Sequence, residues 1–96
     1  MYKSESITSN LLMEVDSLSN RITNIKEAFK NTAHYGLRER LFYENKNISK
    51  RLKEINSIAK FFNNMTIEKI SFTSLLLEKS ERTIAQTRME KNLFFL

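Results

Sequence analysis

Eleven carboxylates, one histidine and no cysteine are the side chains from which this chain of 96 residues could assemble a reactive centre. A lone imidazole, His34, excludes a histidine-rich metal site and any acid–base arrangement that needs two rings. It falls where a helical pattern breaks, so a surface or capping role is expected of it. Without cysteine there is neither a disulfide framework nor a thiolate metal site, and one glycine cannot make a phosphate-cradling loop. The carboxylates are scattered singly beside bases, Glu54 near Lys50 and Arg51, Glu78 near Arg82. Those are spacings of ion pairs on a solvated helix. No catalytic residue, metal or cofactor is therefore assigned, and an enzyme is not expected.

Charge is the feature that rises above this background. Residues 26–60 hold nine of the sixteen Lys and Arg against four Glu, a net of +5, while the other residues carry seven of each sign. Lys46, Lys50, Arg51, Lys53 and Lys60 form the candidate contact for an anionic partner, either an acidic protein surface or a nucleic-acid backbone. Such a lysine-rich row suits phosphate contact without sequence readout, because bases are read by Arg, Asn or Gln aimed into a groove. The opposing reading is a solvated lysine face with interspersed glutamates. No helix-turn-helix signature is visible.

The element that must carry those bases runs from Leu37 to Phe62. Leu37, Leu41, Ile48, Leu52, Ile55, Ala59 and Phe62 recur at steps of three, four or seven, interrupted by Glu44, and so share one stripe of a helix. Glu39, Tyr43, Lys46, Lys50, Lys53, Ser57 and Lys60 follow the same spacing on the opposite side. A helix of this length, roughly 39 Å, needs its apolar stripe covered. Upstream, Ile7, Leu11, Val15, Leu18, Ile22, Ile25 and Phe29 predict a first helix with coiled-coil-like spacing over about residues 7–32, after a frayed polar start. Its outer side is rich in Ser, Asn and Thr, so burial rather than propensity must hold it. At Thr32 to Gly36 the register slips, and Gly36 reads as a left-handed helix stop that reverses the chain into a hairpin. The alternative is a single kinked helix of about 55 residues, since one internal glycine costs only ~1 kcal/mol.

A third helix is expected over about residues 66–92, with Ser71 to Thr73 readable as linker, cap or helix. Its stripe, Leu76, Leu77, Ile84, Ala85, Met89 and Leu93, is weaker, because Ser80, Thr83 and Thr87 sit where leucines would be expected. Thr83 and Gln86 match a capping box but lie mid-helix. Phe29, Phe61 and Phe62 fall at helix ends, where they are expected to close the bundle. The chain ends in Leu93, Phe94, Phe95 and Leu96, an apolar tail at 93–96 that is the candidate partner or dimer contact.

The expected architecture is a single all-α domain over 1–96: an antiparallel, coiled-coil-like hairpin with a second helix at about 37–63 and a third packed across it. It closes either as a three-helix bundle or as a dimeric helical bundle. No apolar run approaches the ~20 residues that span a bilayer, and the first ten residues lack a signal-peptide core. A cytoplasmic protein is the expectation, with membrane binding not expected. The function class that fits is a small helical adaptor or regulatory subunit with a protein partner, a homodimer included; nucleic-acid binding is the alternative.

Overall fold

The structure, a computed structural model, describes residues 2–65 and 71–88, with side chains described for 7–64 and 73–88. Three helices follow in order: α1 (Tyr2–Asn31), α2 (Tyr35–Met65) and α3 (Ser71–Thr87). They form a three-helix bundle, as the helical periodicities require. The first helix starts at Tyr2 rather than near residue 7. Ser71 to Thr73 belong to α3. The parts of the expected third helix at 66–70 and 89–92 lie outside the described residues, as do Met89 and the tail Leu93, Phe94, Phe95 and Leu96.

The direction of each helix can be read from its cross-contacts. Glu14 meets Arg51 and Arg21 meets Glu44, so α2 runs antiparallel to α1. Asp16 meets Lys79 and Ser19 meets Gln86, so α3 runs parallel to α1. Asn45 meets Thr87 and Asn56 meets Ser80, in the antiparallel sense between α2 and α3. The bundle is therefore up-down-up, and the principal extents of 51 × 19 × 15 Å are those of a slim rod.

Buried positions on all three helices alternate in steps of three and four. On α1 they are Thr8, Leu11, Val15, Ile22, Ile25 and Phe29, with half-buried Leu18 between; on α2, Leu41, Asn45, Ile48, Leu52, Ile55 and Ala59, with Asn56 buried beside the row toward α3; on α3, Thr73, Leu76, Ser80, Thr83 and Thr87. That step keeps a row on one side of each helix, and burying each large aliphatic member contributes about 1.5–3 kcal/mol relative to exposure. The regularity corrects several expected core members. Thr8 takes the place of Ile7, which is 44% exposed, because a row that alternates three and four through Leu11, Val15, Leu18 and Ile22 calls for a step of three, not four, before Leu11. Asn45 fills the gap between Leu41 and Ile48, leaving Glu44 on the shoulder toward α1, while Leu37 is 36% exposed. Ala85 is exposed, and Phe61, at 59% exposure, does not close the bundle.

The turn also works differently from its sequence reading. Gly36 does not adopt a left-handed conformation and lies within the first turn of α2. The reversal is made by Thr32, Ala33 and His34. The Thr32 hydroxyl accepts from the His34 amide at 3.1 Å, and Nδ1 of His34 accepts from the Leu37 amide at 3.1 Å, which makes His34 the N-cap of α2. The end of α1 is closed by Arg38, whose Nε donates to the Thr32 carbonyl at 2.9 Å and Nη2 to the Phe29 carbonyl at 3.3 Å. Its guanidinium lies 5.0 Å from the centroid of the Phe29 ring. Glycine at 36 leaves room for the capping imidazole, since a Cβ there would meet His34 Cε1 at 3.2 Å.

Candidate functional site: the outer face of α2

The buried row of α2 fixes where its bases point. Lys46, Lys50 and Lys53 lie on the side of α2 turned away from Leu41, Ile48, Leu52 and Ala59, Lys60 lies at the flank of that side, and all four are exposed. None forms an ion pair among the described residues. At ~1.5 Å per residue the row from Lys46 to Lys60 is about 21 Å long. Ser57 and Glu39 share this face, and Tyr43 and Phe61, 54% and 59% exposed, stand beside its two ends. Tyr43 rests edge-on against Phe42, with ring centroids 5.7 Å apart. Phe61 is packed in the same manner against Phe62 at 6.0 Å.

Arg51, the fifth residue of the candidate set, lies elsewhere. It is on the shoulder facing α1, where its guanidinium grips both oxygens of Glu14, Nη2 to Oε1 at 2.8 Å, and reaches Glu54 through Nη1 at 3.2 Å. Those hydrogen bonds raise the arginine's pKa further above its ordinary value, and the bond from Arg51 holds Glu14 below the usual carboxylate range despite partial burial. One heptad along, Arg21 on α1 grips Glu44 on α2 in the same two-pronged way, with Nη2 to Oε1 at 2.7 Å, and holds that carboxyl low as well. Arg38 is turned toward the end of α1. The structure therefore separates Arg21, Arg38 and Arg51, which fasten α1 to α2, from four lysines that face solvent.

The neighbouring outer faces differ in character. Exposed α1 residues include Ser17, Asn20, Thr23 and Asn24, which carry no charge. The outer side of α3 mixes signs, with Arg82 paired to Glu78 within the helix and Lys79 reaching Asp16 at 3.1 Å. Among the described residues no group of three or more His, Cys, Asp and Glu could hold a metal ion, and no helix is long and apolar enough to cross a membrane.

Sequence reasoning placed Ser80, Thr83 and Thr87 in the inner row of α3, where they are buried, but missed Thr73 and the ties of this row to Asn45 and Asn56 of α2. Asn56 Nδ2 donates to Ser80 Oγ at 2.9 Å, and Ser80 Oγ in turn donates to the Leu77 carbonyl at 3.0 Å. Asn45 Nδ2 donates to the Thr87 carbonyl at 3.0 Å, capping the C-terminal turn of α3, while its Oδ1 is buried without a partner. The three-and-four spacing of Thr73 and Asn45 was the available signal; their polarity hid it. No protein-family model, curated protein or solved structure matches this chain.

Proposed function

We propose that this chain is a non-enzymatic helical interaction module, an adaptor or regulatory subunit that holds a protein partner through the outer face of α2. One observation carries the reading: Lys46, Lys50, Lys53 and Lys60 stand exposed in a row and form no ion pair among the described residues, on a helix whose Arg38 and Arg51 are engaged with α1. Four aligned charges of one sign raise the local concentration of anionic partners and fix their orientation more than they deepen affinity. A homodimer would not pair the two α2 faces, because that would set lysine against lysine.

Nucleic-acid binding is the second reading, favoured by the same row: lysines contact phosphate without reading bases. Capture from native cell lysate at low salt, with and without nuclease, tests the two readings using the wild-type chain and its K50E/K53E variant. Protein that survives nuclease and is lost with the variant supports the module. Loss of all captured material with nuclease supports the second reading, and capture indifferent to K50E/K53E contradicts both.

A further inference from the structure

The partner class can be narrowed by what flanks the lysine row, an inference that rests on the reading of α2 as the working face. We propose that the outer face of α2 docks an acidic amphipathic α-helix from a partner protein, laid along the row with its carboxylates at three- and four-residue steps.

The shape of the basic surface is the first argument. It is one helix wide, straight and convex, bounded by outer sides of mixed sign, with Asp16, Arg21, Glu27 and Lys30 exposed on α1 and Glu78 and Arg82 on α3. A duplex presents two phosphate tracks that curve across its surface, and the described residues offer no second basic row to follow the second track. A helix is about 10–12 Å across with side chains and presents a straight line of residues at the same three-and-four steps, so Lys46, Lys50, Lys53 and Lys60 meet successive acids from one side. The aromatic residues are the second argument. Tyr43 and Phe61 bracket the row about 27 Å apart, and both are more than half exposed. Rings at the two ends of a charged row fit apolar residues at the two ends of a helix of about five turns.

A second copy of the chain is the wrong occupant. The eleven acids of the sequence are at 5, 14, 16, 27, 39, 44, 54, 68, 78, 81 and 90, and no three of them follow one another at steps of three or four. No helix of this protein can therefore present a row of carboxylates to the lysines.

Two synthetic peptides of identical composition provide the test. In one, glutamates recur at three- and four-residue steps between leucine-bearing ends; in the other, the same glutamates are distributed around the helix. Fluorescence anisotropy at low salt with the 96-residue chain is expected to show the aligned peptide bound about tenfold more tightly than the dispersed one. The aligned peptide should lose its advantage against K50E/K53E, whose helix content is checked by circular dichroism, and a peptide with lysines replacing the glutamates should bind that variant instead. Equal affinity for the two glutamate peptides, or a 20-base-pair DNA duplex bound more tightly than the aligned peptide, would overturn the inference. The working-face reading would survive either result as long as binding still depended on Lys50 and Lys53. Binding of every anion indifferent to K50E/K53E would remove that reading too.

Discussion

Glu14 on α1 and Arg51 on α2 form a two-pronged ion pair whose mirror image, Arg21 with Glu44, lies one heptad further along the same interface. The step of seven from 14 to 21 on α1 is matched by the step of seven from 51 back to 44 on α2, with the signs exchanged. Sliding one helix past the other by a heptad would set Glu14 against Glu44 in one direction and Arg21 against Arg51 in the other. The crossed pairs thus reject the two neighbouring registers, although the aliphatic rows would tolerate them.

This arrangement predicts a charge-swap result. Because both pairs are substantially exposed, each contributes at most ~1 kcal/mol. Arg21→Glu alone should lower the stability by about that amount, since it sets two carboxylates side by side. The double variant R21E/E44R should recover nearly all of the loss in urea denaturation, and a double variant no better than the worse single one would contradict the pairing.

Acid should loosen the same interface. Glu14 and Glu44 have folded-state pKa values below the ordinary 4.5 because each accepts hydrogen bonds from an arginine. A lowered folded pKa means that the unfolded chain binds protons first as pH falls, so the stabilisation is complete above about pH 4.5 and is lost as pH drops through the folded values. Urea midpoints measured against pH should fall below about 4.5, and E14Q/E44Q should flatten that fall while lowering the plateau above it.

The inner row of α3 makes opposite predictions for two hydroxyls. Thr83 Oγ1 donates to the carbonyl of Lys79 in its own helix at 2.8 Å, so Thr83→Val strands no partner on another helix and should be neutral or stabilising by up to ~1 kcal/mol. Ser80→Ala leaves Asn56 Nδ2 buried without an acceptor and should cost about 1–3 kcal/mol. Thermal unfolding of the two variants side by side distinguishes them, and equal effects would count against the Asn56–Ser80 bond.

At the turn, His34 and Gly36 should be energetically coupled. His34→Ala removes the N-cap of α2 and should cost about 1 kcal/mol. Gly36→Ala ordinarily helps a helix by up to ~1 kcal/mol, but here the new methyl crowds the capping imidazole. The gain should therefore be larger in the His34→Ala background than in the wild type, as a double-mutant cycle on chemical denaturation would report.

Much of this fold was legible because aliphatic residues at three- and four-residue steps mark a buried row whatever the partner. Leu11, Val15, Ile22, Ile25, Leu52 and Ile55 all sit where that spacing places them. Errors arose where any three- or four-residue step was accepted in place of strict alternation: Ile7 and Leu37 each lie four before a buried leucine, yet Thr8 holds the register beside Leu11, and Asn45 fills the step between Leu41 and Ile48. Gly36 misled for another reason, since a glycine near a helix end suggests a left-handed stop when its actual contribution is space for an imidazole. The exposed lysines were also legible, since they fall outside the buried row of α2. Arg51 was not separable from them, because its engagement depends on Glu14, thirty-seven positions away, and only the antiparallel register reveals that neighbour.

The most direct test of the central claim is photo-crosslinking in native cells from two exposed positions, Ser57 within the lysine row and Asn24 on the outer side of α1. With benzoylphenylalanine at each site in turn, the account predicts discrete adducts from position 57 that disappear in the K50E/K53E background, and few from position 24. Adducts from position 24 with none from 57 would show that the lysines are only solvated and that the working surface lies on another helix.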